Sequence, residues 1–248
     1  MAQGSPRRDA GRALQSGCLF LLAFLVLTVI VTQDRLAHMD LGARSLVHQS
    51  HHPSLLSFMA GASYLGGQPG QVAVIVMGFA ILWPRRRRWA MALPLVVAGS
   101  GVAQYLAKWS VDRPRPNLEA WGFPSAHVLS LVVLCGYLAY AVSLGCARRR
   151  RLFGMGACTL IVGTVAYSRM YLDAHWLSDI LGGFAGGFAY LLVAIWLVES
   201  APRLRRALRS THLARGADGG LLIPAPVGLS VDLVVAPAAT SPEASEAS

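Results

Sequence analysis

The sequence has few charged residues for its length: only 14% of its 248 residues are charged, while 54% are apolar. The mean hydropathy is +0.50. This composition excludes an ordinary soluble domain and indicates an integral membrane protein. The net charge is +10, but the arginines stand in short runs between apolar stretches, as the anchors of cytoplasmic loops do. Their placement argues against nucleic-acid binding.

Cysteine and lysine are also scarce. The four cysteines lie in or beside apolar runs without the paired spacing of a metal site, so we interpret them as packing residues rather than disulfides or zinc ligands. Lys108 is the only lysine, and every other basic side chain is an arginine. The one lysine therefore stands out as a candidate functional residue.

Six apolar runs are long enough, or nearly so, to cross a bilayer. They lie at about 15–32, 70–83, 89–107, 126–145, 152–168 and 177–198. The second run is short and needs either a tilt or residues from "GGQPGQ", and segment 54–66 is predicted to lie at the interface or to form a re-entrant turn. The first run resembles a secretory signal, but no small-x-small cleavage site follows, so we interpret it as a retained span. The prediction is an all-α, polytopic membrane helix bundle with about six transmembrane helices.

Arginine runs predict the orientation of this bundle. With six spans, the runs at 7–12, 85–88, 148–151 and 203–209 all fall on one side, which the positive-inside rule predicts to be cytoplasmic, together with both termini. We therefore predict a cytoplasmic N-terminal segment at 1–14, a membrane domain at 15–200 and a cytoplasmic tail at 201–248. The tail is basic at first and then rich in Ala, Pro, Gly and Ser, a composition typical of disorder.

Three polar clusters collect on the opposite side, at the ends of separate spans. "KWSVDRPRP" ends the third span, "FPSAH" opens the fourth, and "SRMYLDAHWLSDI" joins the fifth to the sixth. Clusters distant in sequence are thus predicted to meet at one membrane depth. The candidate site residues are Lys108, Arg115, Ser125, His127, Arg169, His175 and Asp179.

These residue types suit a phosphate ester. Phosphoryl transfer needs mainly positioning and electrostatic stabilisation of a group with nearly two negative charges. Lys108, Arg115 and Arg169 supply cations, and the planar fork of arginine matches phosphate oxygens. Ser125 supplies a hydroxyl and precedes a span, so the first amides of that helix are predicted to face the anion.

The two histidines are predicted to divide the chemistry. His175 is the better nucleophile, because Asp179 lies one helical turn away and can accept a hydrogen bond from the far ring nitrogen. His127 has no such neighbour in the sequence and suits the general acid that protonates the leaving oxygen. The same His127, now acting as a base, would activate the water that cleaves the phosphohistidine.

The three clusters resemble the motifs of the type 2 phosphatidic acid phosphatase family, KxxxxxxRP, PSGH and SRxxxxxHxxxD. That family shares its core with vanadium haloperoxidases and bacterial acid phosphatases. The resemblance covers roughly residues 15–200; it implies the six-span layout and the histidine roles given above, and it implies that no metal or other cofactor is required. One departure is that Ala126 stands in place of the family's glycine. The methyl group of the alanine can crowd an amide that should face phosphate.

The sequence therefore predicts hydrolysis of a lipid phosphate or pyrophosphate at the outer face of the cell membrane, with the lipid and the bilayer as partners. The leading substrate is a polyprenyl pyrophosphate such as undecaprenyl pyrophosphate, because spent carrier lipid appears on that face. Phosphatidic acid, phosphatidylglycerol phosphate and a polyprenyl-linked sugar phosphate stay open. A vanadate-dependent haloperoxidase and a non-catalytic lipid-binding protein are rival interpretations. The sequence gives no oligomeric state.

Four other features have plainer interpretations. Arg113 is interpreted as a rim charge, and Asp173 would repel phosphate unless it pairs with an arginine or faces water. The loop histidines (His48, His51 and His52) fit a polar loop better than a metal site. "GGFAGG", which lies inside the sixth span, indicates close helix packing rather than a phosphate loop.

Overall fold

The computed structural model describes residues 6–218 of the chain, with side chains described for residues 11–202. Within this part of the chain every regular element is a helix, so the all-α prediction is confirmed. The helices are α1 (Pro6–Thr32), α2 (Ala37–His48), α3 (Pro53–Gly66), α4 (Gln68–Leu82), α5 (Arg87–Val111), α6 (Ala126–Ser143), α7 (Arg148–Tyr171) and α8 (Leu177–Asp218). The chain divides into two units, Met1–Ala201 and Pro202–Ser248. The predicted disordered end of the tail lies outside the described residues.

Five of the described helices are individually long and apolar enough to cross a membrane. They are Gly11–Thr32 of α1, α5, α6, α7 and Leu177–Pro202 of α8. Helices α3 and α4 together meet the same criterion, although they are bent by 54° where they join. The chain is thus a multi-pass membrane protein, and its described residues contain five candidate spans, or six when the bent pair counts as one span.

The bend between α3 and α4 has a local cause. Gly67 is extended (φ −76°, ψ 174°), and Pro69 in the first turn of α4 has no N–H to continue the α3 ladder. The Gln71 side chain donates to the carbonyl of Gly66 at 2.7 Å, which satisfies an acceptor released by the break. The short second run thus begins inside "GGQPGQ", and the segment before it is a helix with buried Met59 and Ser63.

The two ends of the bundle differ in chemistry. At one end, Arg86 donates to the carbonyl of Leu144, so the arginine runs 85–88 and 148–151 lie together. At the other end, the Trp176 indole donates to the carbonyl of Pro114 at 3.0 Å, which joins the α5–α6 loop to the α7–α8 turn. The three polar motifs therefore lie at the end opposite these arginine runs, as their positions in the sequence predicted.

Helix α6 forms the centre of the bundle, and α8 packs closely against it. A Cβ at Gly183 would lie 2.9 Å from Cβ of Val128, and a Cβ at Gly187 would lie 2.9 Å from Cβ of Val132. Because no real side chain fits at those distances, the two glycines let the helix backbones approach each other. The "GGFAGG" segment thus acts in helix packing, the use that small residues commonly have between membrane helices.

We expect Gly183→Ala to destabilise the protein by about 1–3 kcal/mol, because the added methyl overpacks the α6–α8 contact. Gly163→Ala is the matched control, since a Cβ at Gly163 meets nothing within 4 Å. There the exchange should be neutral or stabilising, as glycine is a poor helix former. Thermal unfolding of the detergent-solubilised variants measures both effects, and equal midpoints for the two variants would contradict the packing role.

Candidate active site

The candidate residues converge at one end of the bundle from four helices and the segments that join them. Lys108 lies in the last turn of α5, and Ser125 immediately precedes α6. Arg169 lies in the last turn of α7, whereas Asp179 lies in the first turn of α8. The remaining three are His127 in the first turn of α6, Arg115 in the α5–α6 loop and His175 in the α7–α8 turn.

His175 is held by its contact with Asp179. The side chain of His175 is only 2% exposed, and its Nδ1 lies 3.3 Å from Oδ2 of Asp179. The same oxygen accepts the backbone N–H of Trp176 at 3.0 Å, which fixes the carboxylate at the start of α8. A neutral imidazole that donates through Nδ1 to this carboxylate keeps a lone pair on Nε2. The geometry thus suits a nucleophilic nitrogen.

The electrostatic environment favours the neutral form of His175. Burial lowers the pKa of His175 to about 4, and the positive charges of Lys108 and Arg169 act in the same direction. The Asp179 carboxylate opposes them but does not outweigh them. The imidazole is therefore unprotonated near neutral pH and available for attack.

Positively charged side chains lie near His127 and His175. Lys108 is 8% exposed, and its ammonium donates to the carbonyl of Trp121 at 2.5 Å, a bond that leaves two of its three N–H groups for other acceptors. The His127 ring interacts electrostatically with Arg169, His175, Arg115 and Lys108. One small region thus holds three cations and two imidazoles.

Buried polar atoms without a partner point to an anion-binding pocket. Among the described residues, four buried side-chain N or O atoms have no hydrogen-bond partner within the protein. Three of these atoms belong to predicted phosphate ligands: Nε of Arg115, Oγ of Ser125 and Nε of Arg169. Because buried polar groups normally have partners, three such atoms in one region indicate a site built for a ligand with several acceptor oxygens.

Ser125 is positioned by its backbone rather than by its hydroxyl. Its N–H donates to the backbone carbonyl of Asp179 at 3.0 Å, which ties the start of α6 to the start of α8. The residue occupies the N-cap position of α6, but its side chain does not cap the helix. The hydroxyl therefore stays available to an anion at this helix N-terminus.

Arg169 and His127 are supported by α3 and its break. Ser63, buried in α3, accepts a hydrogen bond from Nη1 of Arg169 at 2.5 Å. A Cβ at Gly66 would lie 3.1 Å from Cδ2 of His127, so the α3–α4 break packs directly against that ring. Within residues 11–202 no carboxylate contacts the His127 ring, in contrast to His175. The segment predicted to lie at the interface or to form a re-entrant turn thus forms one side of the site.

Sequence reasoning placed Arg113 wrongly. Its side chain is 12% exposed and pairs with both Asp179 and Asp40, so the interpretation as a rim charge is wrong. Asp40, from α2, is 2% exposed and was missed altogether. The signal for Arg113 was its place in "DRPRP", two residues before Arg115; nothing in the sequence around Asp40 pointed to the site.

Asp173 and the loop histidines are engaged elsewhere. Arg44 contacts both oxygens of Asp173, at 2.8 and 3.1 Å, and this pairing holds the pKa of Asp173 below its usual range. His48 contacts the same carboxylate at 3.0 Å. His51 contacts the carbonyl of Tyr171, and His52 accepts the N–H of Ser54 at the start of α3. Asp173 is thus neutralised by its partners.

Comparison with known proteins agrees with this geometry. The family model described as PAP2 superfamily matches residues 89–203. All seven candidate residues lie inside the matched range, and the resemblance to the type 2 phosphatidic acid phosphatase family is confirmed.

Two curated proteins are similar to the chain. "Phosphatidylglycerophosphatase B" of Bacillus subtilis (strain 168) is 25% identical over 198 residues, which cover 76% of this chain and 97% of that protein. "Lipid phosphate phosphatase delta" of Arabidopsis thaliana is 28% identical over 160 residues, which cover 57% of this chain and 37% of that protein. The first similarity extends beyond the PAP2 segment over nearly the whole of the bacterial protein.

Solved structures share the fold. The crystal structure of the transmembrane PAP2 type phosphatidylglycerolphosphate phosphatase from Bacillus subtilis matches with a TM-score of 0.69 and 22% identity, covering 74% of this chain and 96% of that chain. LpxE of Aquifex aeolicus matches with a TM-score of 0.51 and 19% identity, covering 63% of this chain and 94% of that chain. The bundle is therefore that of membrane PAP2 proteins.

Glu119 forms an ion pair with Arg115, one of the predicted phosphate-binding residues. Nη1 of Arg115 lies 2.5 Å from Oε2 of Glu119, whose side chain is 62% exposed. We expect Glu119→Gln to tighten binding of orthovanadate, a phosphate analogue, by about threefold to tenfold, because the exchange removes an exposed ion pair and a nearby negative charge. Titration calorimetry of the solubilised protein measures the Kd. Glu199→Gln is the control, since Glu199 contacts Tyr140 and lies about six helical turns along α8 from Asp179. Unchanged or weaker binding in Glu119→Gln would contradict the expectation.

Proposed function

We propose that this PAP2 membrane protein hydrolyses a lipid phosphomonoester or pyrophosphate through a phosphohistidine intermediate on His175. The observation that carries the proposal is a set of three buried atoms without hydrogen-bond partners among the described residues (Nε of Arg115, Oγ of Ser125 and Nε of Arg169), together with a buried histidine–aspartate pair. Three cations and a hydroxyl that face a neutral imidazole suit a phosphoryl group, whose negative charge is spread over several oxygens.

In the first step, Nε2 of His175 attacks phosphorus, and the bond from phosphorus to the ester oxygen breaks. His127 gives its proton to the departing oxygen, while Lys108, Arg115 and Arg169 hold the remaining phosphoryl oxygens. The imidazole becomes cationic as the N–P bond forms, and the Asp179 carboxylate stabilises the proton on Nδ1. In the second step, His127 takes a proton from water, the water oxygen bonds to phosphorus, and the N–P bond breaks to release phosphate.

The relatives guide the choice of substrate. The similar Bacillus protein carries the name phosphatidylglycerophosphatase B, so phosphatidylglycerol phosphate is the first lipid to test. Polyprenyl pyrophosphate, which leads on sequence grounds, is the second candidate, because three cations in one pocket can neutralise a pyrophosphate with up to three negative charges. We propose the plasma membrane as the location and its outer face as the side of the site, since the arginine runs lie at the opposite end of the bundle.

Release of inorganic phosphate from the detergent-solubilised protein tests the function. We expect release from phosphatidylglycerol phosphate or a polyprenyl pyrophosphate, with EDTA present throughout. His175→Ala should lower the rate to background because the nucleophile is lost, whereas His48→Ala, which alters a histidine bonded to Asp173, is the control and should stay active. A protein that releases no phosphate from any of the lipids, or a His175→Ala variant with substantial turnover, would refute the proposal. Oxidation of halide without phosphate release would favour the haloperoxidase.

The intermediate has its own chemical test. Acid-quenched protein should carry phosphate that is labile in acid and stable in base, as expected for phosphohistidine. His127→Ala should raise the fraction of trapped phosphoenzyme with an activated aryl phosphate, because a good leaving group needs no acid while water still needs a base. An acid-stable adduct would point instead to a serine or carboxylate.

The acid limb of the pH profile should report His175. Since burial lowers its pKa to about 4, the neutral nucleophile persists to that pH and kcat/KM falls only below it, once the substrate's own ionisation is taken into account. Asp179→Asn should shift the limb to lower pH, because the carboxylate charge raises the pKa of His175. An enzyme limb near pH 6.5, or a shift to higher pH in Asp179→Asn, would contradict the assignment.

A further inference from the structure

A buried arginine bridges two carboxylates behind the proposed nucleophile. Nη1 of Arg113 contacts Oδ1 of Asp179 at 3.1 Å, and its Nη2 contacts Oδ2 of Asp40 at 2.8 Å. The three side chains are 12%, 0% and 2% exposed respectively. Arg113 therefore contacts the oxygen of Asp179 that does not face His175, and α2 reaches the site through it.

Asp40 holds the start of α8 as well as Arg113. Its Oδ1 accepts the backbone N–H of Ser178 at 2.8 Å, and its Oδ2 accepts the Ser178 hydroxyl at 2.6 Å. Ser178 also accepts from Nη1 of Arg113 at 2.5 Å, and it is the residue directly before Asp179. The Asp40 carboxylate thus holds the backbone of Ser178, which directly precedes Asp179, and also holds Arg113, which contacts Asp179.

Both oxygens of the Asp179 carboxylate have hydrogen-bond partners. One of its oxygens receives Trp176 N–H and His175, and the other receives Arg113. The group of Arg113, Asp40 and Asp179 carries a net charge of about −1 when all three are ionised. That charge is what a cationic imidazole on the neighbouring residue needs as a partner in a buried site.

Buried ion pairs are costly to assemble, and apolar packing would often serve stability as well. Here Arg113 directly contacts the carboxylate that supports His175, and Asp40 holds Arg113. This position suits residues that stabilise the positive charge that forms on His175 during the reaction.

We propose that Asp40 and Arg113 are positioning residues: Arg113 orients Asp179, and Asp40 balances the charge of Arg113, so that Asp179 keeps a net negative charge beside His175 when His175 is phosphorylated. The inference rests on the proposed function, since it concerns the same intermediate. A role only in joining α2 to α8 would instead alter stability without a selective effect on the chemical step.

The test uses Asp40→Asn, which keeps the shape of the side chain and removes its charge. We expect the rate of phosphoenzyme formation in rapid-quench experiments, and with it kcat, to fall by about tenfold to a hundredfold, as is common for residues that support a reacting group from behind. KM and the inhibition constant of inorganic phosphate should change by less than about threefold, because the donors to the ground-state anion are untouched. Asp34→Asn, at an exposed position after α1, is the matched control and should retain full kcat.

A second variant covers the case in which Asp40→Asn does not fold. Arg113→Lys keeps the positive charge but cannot hold both carboxylates with a planar fork, so kcat should fall with KM unchanged. Wild-type kcat in a folded Asp40→Asn or, failing that, in Arg113→Lys would overturn the inference. So would an equal loss of kcat and of phosphate affinity, which indicates general disruption of the site. A wild-type protein without phosphatase activity would refute the proposed function itself.

Discussion

The site depends on Asp179, which contacts all three polar motifs. Its backbone carbonyl accepts the N–H of Ser125 at 3.0 Å, and its carboxylate binds His175 at 3.3 Å and Arg113 at 3.1 Å. Because Asp179 is fully buried, each of these contacts is made away from water, where its electrostatic strength is greatest. The motifs are far apart along the chain, and this one residue holds them in a common position.

The other side chains of the site divide into two sets by their hydrogen bonding. Arg113 and Asp40 complete the hydrogen bonds of the carboxylate and together add no net charge to it. Arg115, Ser125 and Arg169 each carry a buried atom that has no hydrogen-bond partner among the described residues. Donors that the fold holds in place before a ligand binds are what preorganised electrostatic stabilisation requires.

Much of this could be predicted from the sequence. Hydropathy identified the spans, the alternating arginine runs placed the polar motifs at one end, and the spacing of His175 and Asp179 predicted their contact. The packing of the α3–α4 break against the site and the Asp40 contact could not be predicted. Gly67 and Pro69 indicate a break but not what packs against it, and the break matters because Gly66 lies against His127. Asp40 stands in α2, which carries no motif, and only tertiary structure brings it to Arg113. The prediction for Arg113 was wrong because a charged residue in a loop is usually exposed, whereas this arginine is largely buried and pairs with two carboxylates.

We propose that a phosphoryl group binds among Lys108, Arg115, Ser125 and Arg169, with His175 in line to attack it. An experimental structure of the protein with bound orthovanadate would locate the anion among these residues. We expect vanadium bonded to Nε2 of His175, with its oxygens within hydrogen-bond distance of Arg115, Ser125 and Arg169. Vanadate bound elsewhere, or bonded to a different side chain, would contradict it.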